Sequence, residues 1–254
     1  MVTVNCFYCT ALGLALVTVF ASCTPLLVTP TPPAPASMVD VPAGWFLMGQ
    51  DDGPRSSRPQ RMVYLDAYAI DRTEVTNAAF AAYVQETGLR PEGWNDEVAA
   101  THGDFPVVAL LWREADAYCR WVGKRLPTEA EWEKAARGTD GRIYPWGNSW
   151  DPGRANTVEA ALEGPLPVGS LPGGASPYGA MDMAGNATEW VADTFDFDYY
   201  SRAPDRNPPG PSQVMDHVLR GGSWAAPAEH AQTFFRDSSH SARPNSRVGF
   251  RCAQ

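Results

Sequence analysis

The sequence predicts a loop-rich α+β domain, and three observations carry the prediction. Its 254 residues include 22 Gly and 23 Pro beside 9 Trp, so the chain turns often while its large aromatic side chains still require burial. Alternating apolar and polar positions fill MVDVPAGWFLMG (38–49) and RMVYLDAYAIDRTEV (61–75), the period of half-buried strands. Helical spacing takes over in three later segments. Together these suit a mixed, loop-heavy domain better than a helical bundle.

In chain order, Gly44 and the polar stretch 50–60 supply the turns between strands. Thr76 can cap a helix through NAAFAAYVQET, with Phe80 and Val84 on one face. Leu111, Ala115, Tyr118, Cys119 and Val122 recur at helical spacing until Gly123, which turns Cys119 inward. A third helix begins at Thr128-Glu129-Ala130-Glu131, a capping box preceded by Pro127, and ends at Gly138. Beyond it the pattern fades into turns, with short strands expected around Trp190, 218–224 and 248–252. Trp45, Trp146, Trp190 and Trp224 read as core and turn-packing aromatics, and Arg220, Arg236 and Arg251 as ties between loops.

Charge and cysteine usage narrow the function. Twenty Lys and Arg against 29 Asp and Glu leave a formal charge of −9, and no basic run could neutralise a phosphate backbone, which excludes nucleic acid as a partner. Cys6, Cys9 and Cys23 fall in the first 23 residues, leaving Cys119 and Cys252 in the body. Those two can bridge, or they can stand as buried thiols in a reducing compartment. Residues 1–23 contain an apolar stretch, Ala11 to Ala21, ending in small residues before Cys23. This is similar to a bacterial lipoprotein signal, whose cysteine is acylated, and an uncleaved anchor is the alternative. The proline-dense segment 24–37, TPLLVTPTPPAPAS, reads as a semi-stiff tether. Both readings place the body, 38–254, outside the cytoplasm and on the membrane through its anchor.

Five ordered motifs, GKRLPTEAEWEKAARG (123–138), YPWGN (144–148), DMAGNATEW (182–190), RGGSW (220–224) and GFRCA (249–253), resemble the formylglycine-generating enzyme, or sulfatase-modifying factor, family. The resemblance covers residues 38–254. It implies an elaborated C-type-lectin-like α+β fold and a bridge between Cys119 and Cys252. It also implies a structural calcium ion held by the Asp182 carboxylate, the Gly185 and Ala187 carbonyls and the Glu189 carboxylate, a donor mix suited to a hard cation. A second family ion site is reduced here to Asn156, its downstream acidic position falling on Ala160 with Glu159 beside it.

The resemblance stops at the chemistry. Active members hold Cu(I) between two thiolates placed after the GGS[WY] motif, a soft metal on soft ligands. Those positions fall on Ala226 and Ala231, so no copper is expected. Glu229, His230 and His240 stand nearby without the spacing of a built metal site. The segment that faces substrate in the family carries Phe234, Phe235, Asp237 and His240 as ligand-contact candidates. The expected function is therefore a non-catalytic, envelope-anchored binding or scaffolding module for a protein, peptide or glycan. Two alternatives stand beside it: a cysteine-independent oxidase or maturation factor for a secreted enzyme, and a diversified lectin-like receptor.

Overall fold

A computed structural model describes residues 37–211, 216–240 and 243–254. The leader with Cys23, and the tether up to residue 36, lie outside the described residues. No helix among those described is long and apolar enough to cross a membrane.

The strands β1 (Met38–Val41), β2 (Gly44–Met48), β3 (Arg61–Leu65) and β4 (Tyr68–Asp71) form two antiparallel pairs, β1 with β4 and β2 with β3. Helix α1 (Asn77–Thr87) starts where Thr76 Oγ1 accepts the Ala79 amide at 3.2 Å and stops at Gly88. Helix α2 (Asp96–Thr101) is a short element the sequence pattern did not announce, because it buries none of its residues. Helix α3 (Trp112–Trp121) buries Ala115, Tyr118 and Cys119, the face its spacing predicts. Strands β5 (Thr188–Thr194), β6 (Asp216–Arg220), β7 (Asp237–His240) and β8 (Val248–Phe250) make a sheet in the order β7-β6-β5-β8, with β5 and β8 parallel.

Two apolar clusters fill the interior. One packs Phe46, Ile70, Trp132 and Tyr200 between the first strands and helix α4 (Glu129–Arg137). The other packs Phe80, Tyr118, Trp190 and Phe250 between α1, α3 and the four-stranded sheet. Trp190 is fully buried and donates Nε1–H to the Leu110 carbonyl at 3.1 Å. Trp146 packs a turn, stacked 5.3 Å from Tyr144. Trp45 departs from the expectation: it is 45% exposed, edge-on to Tyr64, because β2 turns it to the outer face of a two-stranded sheet.

Cys119 and Cys252 form a disulfide, Cα to Cα 5.6 Å, joining α3 to the residue pair beyond β8 across 133 positions. The C-terminus is also knitted in by backbone bonds: Arg125 and Ala253 exchange amides at 2.9 and 2.7 Å, and Ala69 and Gln254 at 3.1 and 2.8 Å.

Every residue of α4 is buried. Its capping box forms, with Thr128 Oγ1 accepting the Glu131 amide at 3.2 Å and Glu131 Oε2 accepting the Thr128 amide at 2.8 Å. A second carboxylate serves this helix start: Asp193 Oδ2 accepts the Glu129 amide at 2.7 Å. Burial, and next the Glu129 carboxylate, push the Asp193 carboxyl up to about 8.

Two predictions follow from these contacts. Cys252→Ser is expected to lower the unfolding free energy by about 5 kcal/mol if chain entropy dominates the bridge, read from urea denaturation; a wild-type urea midpoint that reductant does not move would count against it. For Asp193, whose ordinary value is 3.8, the folded protein holds one more proton than the unfolded chain between about pH 4 and pH 8, so this group costs stability progressively as pH rises through that window. Asp193→Asn keeps an acceptor for the Glu129 amide. It should raise the urea midpoint more at about pH 8.5 than at about pH 5; an equal gain at both would mean the carboxylate is already ionised at the lower pH.

Candidate functional site

Arg220 and Arg236 flank the stretch that carries RGGSW and the two alanines. Both guanidinium groups are buried, and both are held by the inward carboxylates of α4. Arg220 donates Nη1–H to Glu129 Oε1 at 3.0 Å and Nη2–H to Glu133 Oε2 at 2.6 Å. Arg236 grips Glu129 with Nε to Oε1 at 2.6 Å and Nη2 to Oε2 at 2.9 Å. Glu133 Oε1 accepts the Gly49 amide at 2.7 Å and Arg137 Nη1–H at 2.8 Å. Burial opposes the charge on both arginines, yet their neighbours hold each above the usual guanidinium range: Tyr200 and next Glu133 and Glu129 for Arg220, Glu129 and next Tyr200 for Arg236. The role expected of Arg220 and Arg236 as loop ties is met, with the ties running to one helix.

Between these anchors the chain wraps a cavity of about 220 Å³. Ala226, His230, Phe235 and Asp237 line it, together with Ser223, Asn245 and Arg247 and with Thr188, Leu219 and Val248 of the sheet. The His230 ring stacks on Phe235, centroids 4.1 Å apart. Gly222 is in the left-handed region, φ 68°, and a Cβ there would come within 2.9 Å of the His230 carbonyl carbon, so only glycine lets the two walls approach. A larger cavity of about 350 Å³ opens beside α2, lined by Trp94, Val98, Phe105 and neighbours, and takes in none of the expected site residues.

The two alanines are not equivalent. Ala226 faces the cavity; Ala231 is fully buried behind it, packed with Ala155 and Ala184. Of the expected ligand contacts, Phe235 and Asp237 line the cavity, but Phe234 does not. Its ring is buried at 4% exposure under the Arg137 guanidinium, 5.7 Å away, and its carbonyl accepts Ser57 Oγ–H at 2.8 Å. His240 lies on β7 opposite Asp216 and does not line the cavity either. Arg247, Asn245 and Ser223 are the residues sequence reasoning passed over. Arg247 precedes the short β8 strand, and only the fold brings its guanidinium to 5.9 Å from the Trp224 ring.

The calcium set expected at DMAGNATEW is not assembled as an open cage. Asp182, Gly185 and Asn186 are all left-handed, φ 59°, 80° and 61°, and the turn packs so tightly that a Cβ on Gly185 would sit 2.3 Å from the Asn156 carbonyl oxygen. Asp182 Oδ2 accepts the Gly169 amide at 2.6 Å. Glu189, fully buried, is committed elsewhere: Arg251 donates Nε–H to Oε2 and Nη2–H to Oε1, both at 2.7 Å, and Trp132 Nε1–H reaches Oε2 at 2.8 Å. Three donors leave that carboxylate a single open acceptor position, and the paired guanidinium offsets the negative charge a divalent cation would draw on. Of the four residues, Glu189 would have to leave Arg251 to serve the ion.

Sequence reasoning also missed Glu74. It is wholly buried, its Oε1 accepts Asn186 Nδ2–H at 2.9 Å, and its Oε2 has no partner. Burial, and next Asp182, hold its carboxyl well above the usual range. Glu159 is spent on Thr157 and on the Ala228 amide, 2.6 and 2.9 Å. No group of three or more His, Cys, Asp or Glu side chains able to hold a metal occurs among the described residues, and Glu229, His230 and His240 make none.

The fold and the cavity between its two buried arginines define a loop-rich α+β domain of the formylglycine-generating type. The family model for the Sulfatase-modifying factor enzyme 1-like domain matches residues 26–254, and the chain belongs to that family. It is 33% identical to the Formylglycine-generating enzyme of Streptomyces coelicolor, over 87% of this chain and 90% of that protein. It is equally 33% identical to the Inactive C-alpha-formylglycine-generating enzyme 2 of Bos taurus, over 85% and 87%. A 35% match to the Serine/threonine-protein kinase pkn1 of Chlamydia caviae covers 85% of this chain but spans only 38% of that protein. Among solved structures, PvdO from Pseudomonas aeruginosa superposes with a TM-score of 0.74 at 26% identity, covering 86% of this chain and 94% of PvdO.

The Glu189 geometry sets the calcium experiment. Melting temperatures in excess Ca²⁺ and in chelator are expected to coincide, with Asp182→Ala lowering both equally through loss of the Gly169 bond. A rise with Ca²⁺ that Asp182→Ala abolishes would show that Glu189 leaves Arg251 for the ion.

Proposed function

We propose that this chain is a non-catalytic binding or scaffolding module of its family, displayed on the cell envelope by its N-terminal segment. The observation that carries the reading is chemical. Active members need two thiolates, and here Ala226 offers the cavity a methyl group while Ala231 is buried behind it. No cysteine lies between Cys119 and Cys252, and those two are joined to each other. A methyl group neither ligates Cu(I) nor exchanges a disulfide. A relative as similar as the active enzymes carries the name inactive, which supports the possibility of fold without turnover.

What the family frame retains is a walled polar cavity on a braced loop, the arrangement of a binding site. The apolar stretch before Cys23 and the proline-dense tether support display outside the cytoplasm, where the disulfide is stable. The ligand class consistent with the cavity is a protein segment, peptide or glycan.

Purified protein incubated with Cu(I), oxygen and a cysteine peptide derived from a sulfatase is expected to yield no formylglycine by mass spectrometry. Product above a metal-free control would replace the binding reading with the oxidase alternative.

A further inference from the structure

The cavity beside Ala226 carries one positive and one negative side chain that do not meet. Arg247 and Asp237 both line it, and both are open to solvent. The Arg247 guanidinium lies over the Trp224 ring at 5.9 Å and has no carboxylate within ion-pair distance among the described residues. The Asp237 carboxylate accepts the Ser238 amide through Oδ1 at 2.8 Å and likewise has no cationic partner among them. The sheet keeps the two apart. Asp237 is locked on β7 opposite Leu219 of β6, and the Arg247 carbonyl accepts the Thr188 amide at 2.9 Å, where β5 meets β8. β6 and β5 therefore stand between them, and the register sets Arg247 three residues along the strand from Phe250, which shares Asp237's row through Leu219 and Trp190, so three strand spacings and a three-residue offset put the backbones about 17 Å apart. That exceeds what a direct Arg–Asp contact spans.

The space that the two charges line is small and takes in short apolar side chains. Its volume of about 220 Å³ falls below the roughly 300–1,000 Å³ of sites for drug-sized ligands, which limits the guest to a small molecule. Ala225, Ala226 and Leu219 are among its lining residues. A guest that satisfies all of this carries a carboxylate at one end, an ammonium at the other, and short apolar side chains between.

Resting on the binding reading above, we propose that the cavity is a site for a short zwitterionic peptide, of dipeptide length, whose carboxylate pairs with Arg247 and whose ammonium pairs with Asp237. Both contacts are charge-assisted hydrogen bonds, the kind whose loss is felt most strongly. A single α-amino acid carries the same two charges but sets them closer together than these strands do. An internal segment of a longer chain carries neither.

Calorimetry on the full chain with L-alanyl-L-alanine tests this, against N-acetyl-L-alanyl-L-alanine, L-alanyl-L-alaninamide and L-alanine. The free dipeptide is expected to bind, and each of the other three to bind at least tenfold more weakly. Arg247→Gln should erase the preference for the free carboxylate while keeping the preference for the ammonium, and Asp237→Asn should do the reverse. Both side chains are exposed, so neither substitution threatens the fold, and an unchanged melting temperature without ligand verifies this. Binding of the acetylated or amidated peptide as tight as that of the free one overturns the assignment, as does equal binding of L-alanine or no binding of any probe. Failure here with no formylglycine formed removes only the ligand assignment; formylglycine formation removes the reading beneath it.

Discussion

The fold depends on a cross-brace between one fully buried helix and two loop arginines. Glu129 and Glu133, one turn apart on α4, face inward and receive Arg220 and Arg236 from the far end of the sequence. Four buried charges, with Arg137 as a fifth, are tolerable only because each finds opposite charge and hydrogen bonds at close range. Removing one partner from such a set strands the others, at a cost of about 3–5 kcal/mol in comparable cases. The same brace positions both ends of the chain segment that walls the cavity. Stability and site geometry are here one interaction.

This coupling explains how the loop after RGGSW is held with alanine at positions 226 and 231. RGGSW begins with an arginine that belongs to the core, and the two glycines after it are left-handed. One of them lets the His230 segment close over the loop. None of these contacts uses the side chain of residue 226 or 231, so the brace stands with alanine at both. A parallel case occurs at DMAGNATEW. Glu189 answers Arg251 and Trp132, so this acidic residue is retained by the demands of a buried guanidinium.

Local elements were legible wherever their cause was local. Thr76, the Thr128 capping box, Gly88 and Gly138 act within a turn or two of chain, and α1 and α4 begin and end as those residues dictate. β7 was not legible, because DSSH has no alternation of apolar and polar residues and becomes a strand only by pairing with β6. Trp45 was misread for a related reason: composition favours burying tryptophan, but a two-stranded sheet has an outer face. Of Phe234 and Phe235, adjacent and identical in type, one anchors the core and the other lines the cavity. No one-dimensional pattern separates them.

By itself the sequence determined the family, the cysteine pair available to bridge, the helix caps, and the lack of any cysteine between Cys119 and Cys252. These follow from residue identity and short spacing, which a linear chain displays in full. Only the tertiary structure decided that Glu189 is a counter-ion, that Ala226 faces the cavity while Ala231 does not, and that Arg247 and Asp237 share one space without touching. Those outcomes depend on which buried charges find partners and on how many strands separate two residues. Both are set by long-range packing against α4, so spacing along the chain does not display them.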